Sequence, residues 1–252
     1  MPFTIARSVR RAVASPVVFA AAMATIATAS LATSATAQGT RFGTLAGPAL
    51  TSITDLDKSA DVGMDVLTSK SRIGLQGGLF ATIPVKGALS LQPEVHYSQK
   101  GGKLETNMEM PEELDGTDGL TMGFRLAYVE IPVLARIDLG NRNSWHPFVT
   151  FGPSFSMRAS CKVSLEVGGA GSMSTGCDEG DLGEEGEAAS RDPFSKTDIS
   201  GIAGAGLTGS LLGRSVFVQA RYSQGFSSIA KESTANVSPK NRGFSVVFGL
   251  GF

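Results

Sequence analysis

The sequence has few cysteines, no excess of basic charge and no second long apolar run. It contains 2 Cys, and its formal net charge is -1. Beyond the N-terminal segment no stretch approaches the ~20 consecutive apolar residues of a membrane helix. The near-zero net charge argues against a nucleic-acid partner. A secreted soluble domain or a membrane barrel remains, and the 31 glycines favour a barrel.

Residues 1–37 have the organisation of a cleavable signal peptide. A basic start with three arginines precedes an alanine-rich apolar run from about Val13 to Ala29. Ala35 and Ala37 then give the small-x-small pattern that a signal peptidase recognises. We expect cleavage after Ala37, which leaves residues 38–252 as one domain. The alternative is an N-terminal membrane anchor, for which the apolar run is short.

Cys161 and Cys177 are the two cysteines, and both lie in one long polar segment. In an oxidising periplasm such a pair is expected to form a disulfide, which restricts the unfolded ensemble of the loop it closes. A metal site would need further ligands, and no histidine lies nearby in the sequence. The sequence therefore predicts a disulfide here and no metal centre.

Apolar and polar residues alternate with a period of two through most of the mature chain, which predicts strands. The third predicted strand, from Ala88 to Gln99, is the clearest. One face has Leu89, Leu91, Pro93, Val95 and Tyr97, and the other has Ser90, Gln92, Glu94, His96 and Ser98. The predicted strands cover about 41–53, 72–83, 88–99, 120–139, 146–157, 198–211, 215–226 and 243–252.

The last predicted strand runs to the final residue of the sequence. Phe244, Val246, Phe248, Leu250 and Phe252 alternate with small residues and one valine. A strand of this kind that ends on an aromatic residue resembles the C-terminal signal read by the outer-membrane barrel assembly machinery. The resemblance implies that Phe252 is part of an assembly signal and that this machinery is a partner during biogenesis.

Long and short connections alternate between the predicted strands. Four long loops cover about 54–71, 100–119, 159–197 and 227–240, and they hold 19 of the 23 acidic residues. Long loops on one side and short turns on the other are the arrangement of outer-membrane barrels. The sequence therefore predicts an all-β fold, an eight-stranded antiparallel up-and-down transmembrane β-barrel with four long extracellular loops, in the bacterial outer membrane.

A polar network is predicted inside this barrel, because the strand pattern points several charged residues into the lumen. An eight-stranded barrel is just wide enough for side chains to fill it, and buried charges must be paired. We therefore expect the network to plug the barrel, while a proton or ion path is the alternative. Its members are Glu94, His96, Glu130, Arg136 and Arg221.

Other patterns suggest chemistry that the strand assignment disfavours. Glu94, His96 and Ser98 suggest a hydrolase, yet residues two apart on one strand are about 6–7 Å apart, and a nucleophile and its base must be within about 3 Å. The glycine-rich segment 204–209 matches a dinucleotide fingerprint but lies inside a predicted strand. An acidic run over 178–187 could hold a divalent cation, although a solvated loop is the simpler interpretation.

Several segments resemble the PorT-type family of outer-membrane β-barrel proteins. Tyr97-Ser98-Gln99-Lys100-Gly101 is similar to a Tyr-Ser-x-Lys-Gly motif, and Tyr128-Val129-Glu130-Ile131-Pro132 is similar to a Tyr-Leu-Glu-Ile-Pro core. Arg221-Tyr222-Ser223-Gln224-Gly225 is similar to its Arg-Tyr-x-x-Gly. The resemblance implies an outer-membrane barrel without a shared enzymatic activity, and it leaves the long loops uncovered.

The predicted function is a non-enzymatic structural or surface-interaction role, with rigid strands that present long acidic loops. The alternative is a small transport- or secretion-associated pore, and a lipid-modifying hydrolase is a more remote one. The expected partners are outer-membrane lipids and an unknown extracellular ligand of the loops. No cofactor, catalytic residue or metal ligand is expected.

Overall fold

Nine antiparallel strands are present in the part of the chain that the computed structural model describes, residues 39–54, 67–106, 120–140, 145–167, 171–177, 194–230 and 238–252. The predicted signal peptide lies outside these residues. The strands are β1 (Arg41–Thr54), β2 (Leu67–Lys86), β3 (Leu89–Thr106), β4 (Leu120–Asp138), β5 (His146–Val167), β6 (Gly171–Gly176), β7 (Thr197–Leu211), β8 (Arg214–Gly225) and β9 (Lys240–Gly251).

Eight of these strands close into a ring, as the sequence predicts. Each pairs antiparallel with its neighbour, β1 pairs with β9, and β4 pairs with β5, while β7 rather than β6 continues the ring after β5. We call the end with the connections 87–88, 139–145 and 212–213 the turn end, and the opposite end the loop end. Leu212 and Gly213 both have positive φ, as a two-residue type I′ hairpin turn requires.

The faces of the strands follow the sequence alternation. On β3, Ser90, Gln92, Glu94, His96 and Ser98 are buried in the lumen, whereas Val95 is 51% exposed on the outer wall. Outward apolar residues continue around the ring, including Ile73, Ile131, Phe151, Leu207, Tyr222 and Phe248. Within the described residues no helix is long and apolar enough to cross a bilayer.

The strands extend further at the loop end than the sequence predicts. The predicted loop 159–197 is wrong in its first part, because β5 continues to Val167 and forms a hairpin with β6. Likewise β3 continues to Thr106, beyond the predicted end at Gln99. On β3 the outward residues beyond Gln99 are polar, such as Lys103 and Glu105, whereas on β5 apolar and polar residues still alternate from Cys161 to Val167, inside the segment predicted as a loop. Two loop acids, Glu105 and Glu166, consequently lie on strands.

One predicted outward residue, Ala127, is only 5% exposed. The β4–β5 register shifts between Ala127 and Tyr128, which face Ser160 and Arg158, so β5 has one extra residue at this point. β4 itself keeps its alternation on both sides, with Arg125 and Val129 exposed, so Ala127 still faces outward and its small side chain is covered beside the bulge. The alternation of β4 alone could not reveal a bulge on its partner strand.

Candidate functional site

A buried ion pair spans the lumen at mid-height. The Nη1 and Nη2 atoms of Arg221 on β8 donate to Oε2 and Oε1 of Glu94 on β3, each at 2.7 Å. Counted in either direction around the ring, β3 and β8 are four strands apart, so the pair joins opposite walls. Gln219 accepts from Arg221 Nε at 2.7 Å and donates to Thr150 on β5 at 2.6 Å.

A second group of charges continues from Glu94 toward the loop end. His96 Nε2 lies 3.0 Å from Glu130 Oε2, and His96 Nδ1 lies 3.5 Å from Glu94 Oε2. Lys100 Nζ completes this group, 2.6 Å from Glu130 Oε1. These side chains are almost fully buried, so the carboxylates depend on these cations and donors for the solvation they lose.

Arg136 lies nearer the turn end and connects to the same network. Its Nη1 donates to Gln92 Oε1 at 3.3 Å, and Gln92 Nε2 donates to Glu94 at 2.8 Å. Its Nε and Nη2 bind Asp138 Oδ1 at 3.0 and 2.9 Å. The guanidinium also lies over the ring of Phe148, 3.9 Å from its centroid, where a cation–π interaction is favourable.

Two apolar clusters enclose this charged belt. The turn-end cluster consists of Leu45, Phe80, Phe148, Phe217 and Val247. Its rings pack edge to face, with centroids 5.3 Å apart for Phe80–Phe217 and 5.7 Å for Phe148–Phe217. The loop-end cluster consists of Ile53, Leu104, Leu126, Tyr128, Cys161, Phe194 and Ile229. The charged belt thus lies between two apolar clusters, with Arg136 packed against Phe148 of the turn-end cluster and Asn241 bound to Tyr128 of the loop-end cluster.

A small cavity of about 20 Å³ lies beside the belt. His96, Lys100, Glu130 and Arg221 contribute to its wall, together with Gln76. Space of this size fits about one water molecule. The wall combines these polar groups with apolar ones such as Ile202 and Phe244, and the space is too confined for an organic ligand.

The five predicted lumen residues all lie inside the barrel and are almost fully buried. Glu94, His96, Glu130 and Arg221 form direct contacts, and Gln92 links Arg136 to them. Lys100 was missed because the predicted strand ended at Gln99. Extending the inward series of Glu94, His96 and Ser98 by one step would have found it.

Further inward polar residues at the loop end were not part of the predicted network. Asn241 Nδ2 donates to Asp198 Oδ2 at 2.9 Å and to the Tyr128 hydroxyl at 3.4 Å. The Ser227 hydroxyl donates to Asp198 Oδ1 at 2.6 Å. Asn241 preceded the predicted start of the last strand, and Ser227 fell in a predicted loop, so neither residue had a predicted face.

The predicted disulfide between Cys161 and Cys177 is confirmed. Cys161 is on β5 and Cys177 follows β6, so the bond ties the base of this hairpin together. The buried Cys161 also packs in the loop-end cluster. The disulfide therefore connects the β5–β6 hairpin to the apolar layer below it.

The geometry gives little support to the hydrolase alternative. His96 hydrogen-bonds Glu130 through Nε2 and lies 3.5 Å from Glu94 through Nδ1, and Ser98 is 2% exposed on the inner wall. The described residues hold no group of three or more His, Cys, Asp or Glu that could bind a metal ion. The acidic run 178–187 lies outside the described residues.

A closed antiparallel ring with an apolar outer wall and a charged interior defines the class of outer-membrane β-barrels. The family model described as "Outer membrane protein beta-barrel domain" matches residues 35–231, more than three quarters of the chain. The chain belongs to this family, whose members lie in the bacterial outer membrane.

Solved structures of other barrels are similar at low sequence identity. Neisserial surface protein A shares 13% identity, with 85% of this chain and 100% of that chain covered and a TM-score of 0.41. OprG from Pseudomonas aeruginosa shares 13%, covering 84% and 94%, with a TM-score of 0.41. The outer membrane enzyme PagL shares 11%, covering 82% and 97%, with a TM-score of 0.35. No curated protein sequence matches this chain.

Proposed function

We propose that this protein is a non-enzymatic outer-membrane barrel with a closed lumen and a structural or surface-interaction role. The observation that supports this most is the layering of the lumen, in which the charged belt lies between two apolar clusters. A hydrated ion would have to displace both apolar layers and break the Glu94–Arg221 pair. Passage by this route requires far more free energy than passage through a continuous aqueous channel.

The loops are the proposed site of interaction. Rigid strands supported by a packed interior hold the loops in place, and binding residues are disproportionately found on loops of rigid scaffolds. The acidic residues are concentrated in or next to these loops. An extracellular ligand of the loops is therefore part of the proposal. The Tyr97–Gly101 and Tyr128–Pro132 segments support membership of the PorT-type group within the outer-membrane family.

The route to the outer membrane is a separate part of the proposal. We propose that cleavage after Ala37 releases the mature chain into the periplasm and that Phe252 contributes to recognition by the barrel assembly machinery. Phe252 is 46% exposed next to β9, and its backbone N–H donates to Phe42 O at 2.9 Å. An exposed terminal aromatic ring is accessible to a partner from the outer wall.

Conductance in planar lipid bilayers tests the closed lumen. The purified protein should give no discrete current steps, because both ends of the belt are closed by apolar side chains. An open porin measured in the same bilayers is the positive control for insertion and detection. Stable current steps from the folded, unmodified protein would reject the closed lumen and favour the small-pore alternative.

An ion or proton path is the second candidate, and one observation favours it. His96, Glu130 and Lys100 form a row of groups that can exchange protons, and the small cavity lies beside them. Proton transport would appear as acidification of dye-loaded vesicles under a pH gradient. Under our proposal this flux is no greater than in vesicles that lack the protein.

The absence of enzymatic activity has its own test. Folded protein incubated with phospholipid and lipid A should release no fatty acid, because His96 is engaged by two carboxylates. Release of fatty acid by the unmodified protein but not by Ser98→Ala would contradict the proposal and establish the hydrolase alternative.

A further inference from the structure

Three exposed cations lie on neighbouring strands of the outer wall near the loop end. They are Lys103 on β3, Arg125 on β4 and Lys162 on β5, and we call them the basic cluster. Arg125 and Lys162 face each other directly in the β4–β5 ladder. Lys103 faces Gly123, two residues from Arg125, and is therefore its diagonal neighbour at about 7–8 Å between Cα atoms.

The basic cluster is not neutralised by the described part of the protein. The neighbouring Lys70 faces Lys103 but is bound to Glu105. No carboxylate among the described residues forms an ion pair with a member of the cluster. Like charges that face each other across strands are destabilising. The arrangement becomes favourable when an external anion lies between the cations.

The surroundings leave room for such an anion. Lys103 faces Gly123 and Arg125 faces Gly101 across the β3–β4 ladder, so neither cation has a facing side chain there. The nearest outward acids are Glu105, one step beyond Lys103 on β3 but bound to Lys70, and Glu166, two steps beyond Lys162 on β5. A bound anion would therefore contact the cluster from the side of the barrel wall.

The height of the basic cluster places it at the lipid headgroups. From Leu89, the first residue of β3, to Gly101, which faces Arg125, the chain climbs about 30 Å along the barrel axis at ~3.3 Å per residue and a tilt of ~40°. The apolar band of an outer-membrane barrel is only about 25 Å tall. Outward apolar residues of β4 such as Val129 and Ile131 lie below this level.

We propose that the basic cluster binds the phosphate groups of a phosphorylated lipid in the outer leaflet. Phosphate is the anion available at this height, and lysine and arginine are its usual partners. A soluble polyanion is less suitable, because it would approach past loops rich in acidic residues. The inference requires the outer-membrane location and the loop end outside, but it is independent of the closed lumen.

Binding to lipid A in phosphatidylcholine nanodiscs or in detergent, followed by native mass spectrometry, tests the proposal. The variant Lys103→Gln/Arg125→Gln/Lys162→Gln should bind lipid A about tenfold or more weakly than the unmodified protein. The charge-preserving variant Lys103→Arg/Arg125→Lys/Lys162→Arg should retain binding. Lipid A whose phosphates have been removed should bind the unmodified protein and the glutamine variant equally weakly.

A matched control removes three exposed cations at the turn end, Arg41→Gln/Lys86→Gln/Arg214→Gln, and should leave lipid A binding unchanged. The proposal is overturned if this control loses as much affinity as the cluster variant, or if the cluster variant binds normally. Loss of heparin binding with unchanged lipid A binding would indicate a soluble polyanion instead and would also overturn it.

Folding of each variant is checked by its heat-modifiable migration on gels. If the triple glutamine variant of the basic cluster does not fold, the proposal is tested in two other ways. These are lipid A binding by Arg125→Gln alone and a salt titration of lipid A binding by the unmodified protein. Rising salt should weaken binding of phosphorylated lipid A and leave the phosphate-free form unaffected. A salt-independent affinity would reject the basic cluster as a phosphate site.

Discussion

Arg221 and Glu94 are joined by two parallel 2.7 Å hydrogen bonds across the full width of the barrel, from β8 to β3. This pair is the centre of the interior network, because Gln92, His96 and Gln219 all contact one of its two members. Both side chains are buried, at 3% exposure or less. The stability of the barrel should therefore respond strongly to changes at either position.

Removing one partner should be much more harmful than removing both. Arg221→Met leaves the Glu94 carboxylate buried without its main partner, at an expected cost of about 3–5 kcal/mol. The double variant Glu94→Leu/Arg221→Met replaces the pair by apolar groups and should recover most of this loss. Urea unfolding of the refolded protein in lipid vesicles measures both free energies. Equal destabilisation by the single and the double variant would contradict this account.

Glu130→Ala should destabilise the barrel because it leaves Lys100 as an uncompensated buried cation. Lys100 Nζ is 2.6 Å from Glu130 Oε1, and the expected cost is again about 3–5 kcal/mol. Pairing the change with Lys100→Met should restore part of the stability. Unfolding and bilayer conductance are measured on the same preparations. Increased conductance with unchanged stability would refute the plug and favour an ion path.

Loss of the disulfide should weaken the loop end and leave the ring intact. The bond closes a loop with a sequence separation of 16, for which chain entropy suggests a contribution of about 3 kcal/mol. Cys161→Ser/Cys177→Ser should therefore be cleaved faster by protease between β5 and β7 than the oxidised protein. Far-UV circular dichroism of the variant should stay unchanged. A loss of strand signal would show that the ring depends on the disulfide, which would contradict this prediction.

Two adjacent glycines on β2 should differ sharply in their tolerance of alanine. A Cβ at Gly78 would lie 2.1 Å from Val95 O and 2.4 Å from the Cα of His96, which are backbone atoms that cannot move away easily. A Cβ at Gly77 would meet nothing nearer than 3.5 Å. Gly78→Ala should thus lower the unfolding free energy by about 1–3 kcal/mol through overpacking, and Gly77→Ala should have little effect. Similar midpoints in urea for the two variants would be inconsistent with this packing.

The sequence predicted the strands of the ring better than it predicted which side chains fill the lumen. Alternation assigns the faces of β3 correctly because every inward residue from Ser90 to Ser98 is polar and every outward one is apolar. Lys100 follows the same alternation one step further, and it was missed because the strand was predicted to end at Gln99. Alternation fails at Phe194 and Ile229, which lie in predicted loops but fold into the lumen as part of the loop-end cluster. Their burial depends on tertiary packing that no local pattern encodes.

The particular partners within the network could not be predicted either. Glu94 and Arg221 were both expected in the lumen, but only the register of the closed ring brings them to the same height. That register depends on the bulges in β2–β3 and β4–β5, each of which shifts the pairing by one residue. The sequence can therefore name the candidates for ion pairing without determining which of them meet.

The opposite placement of Glu94 and Arg221 has a consequence for the order of assembly. Each is carried by a different half of the chain, so the two charges remain apart in any open sheet and meet only after the first and last strands have joined. A slip of one residue at that seam would turn one charge toward lipid. A ring closed in the wrong register would therefore lack this ion pair and would be less stable than the native ring.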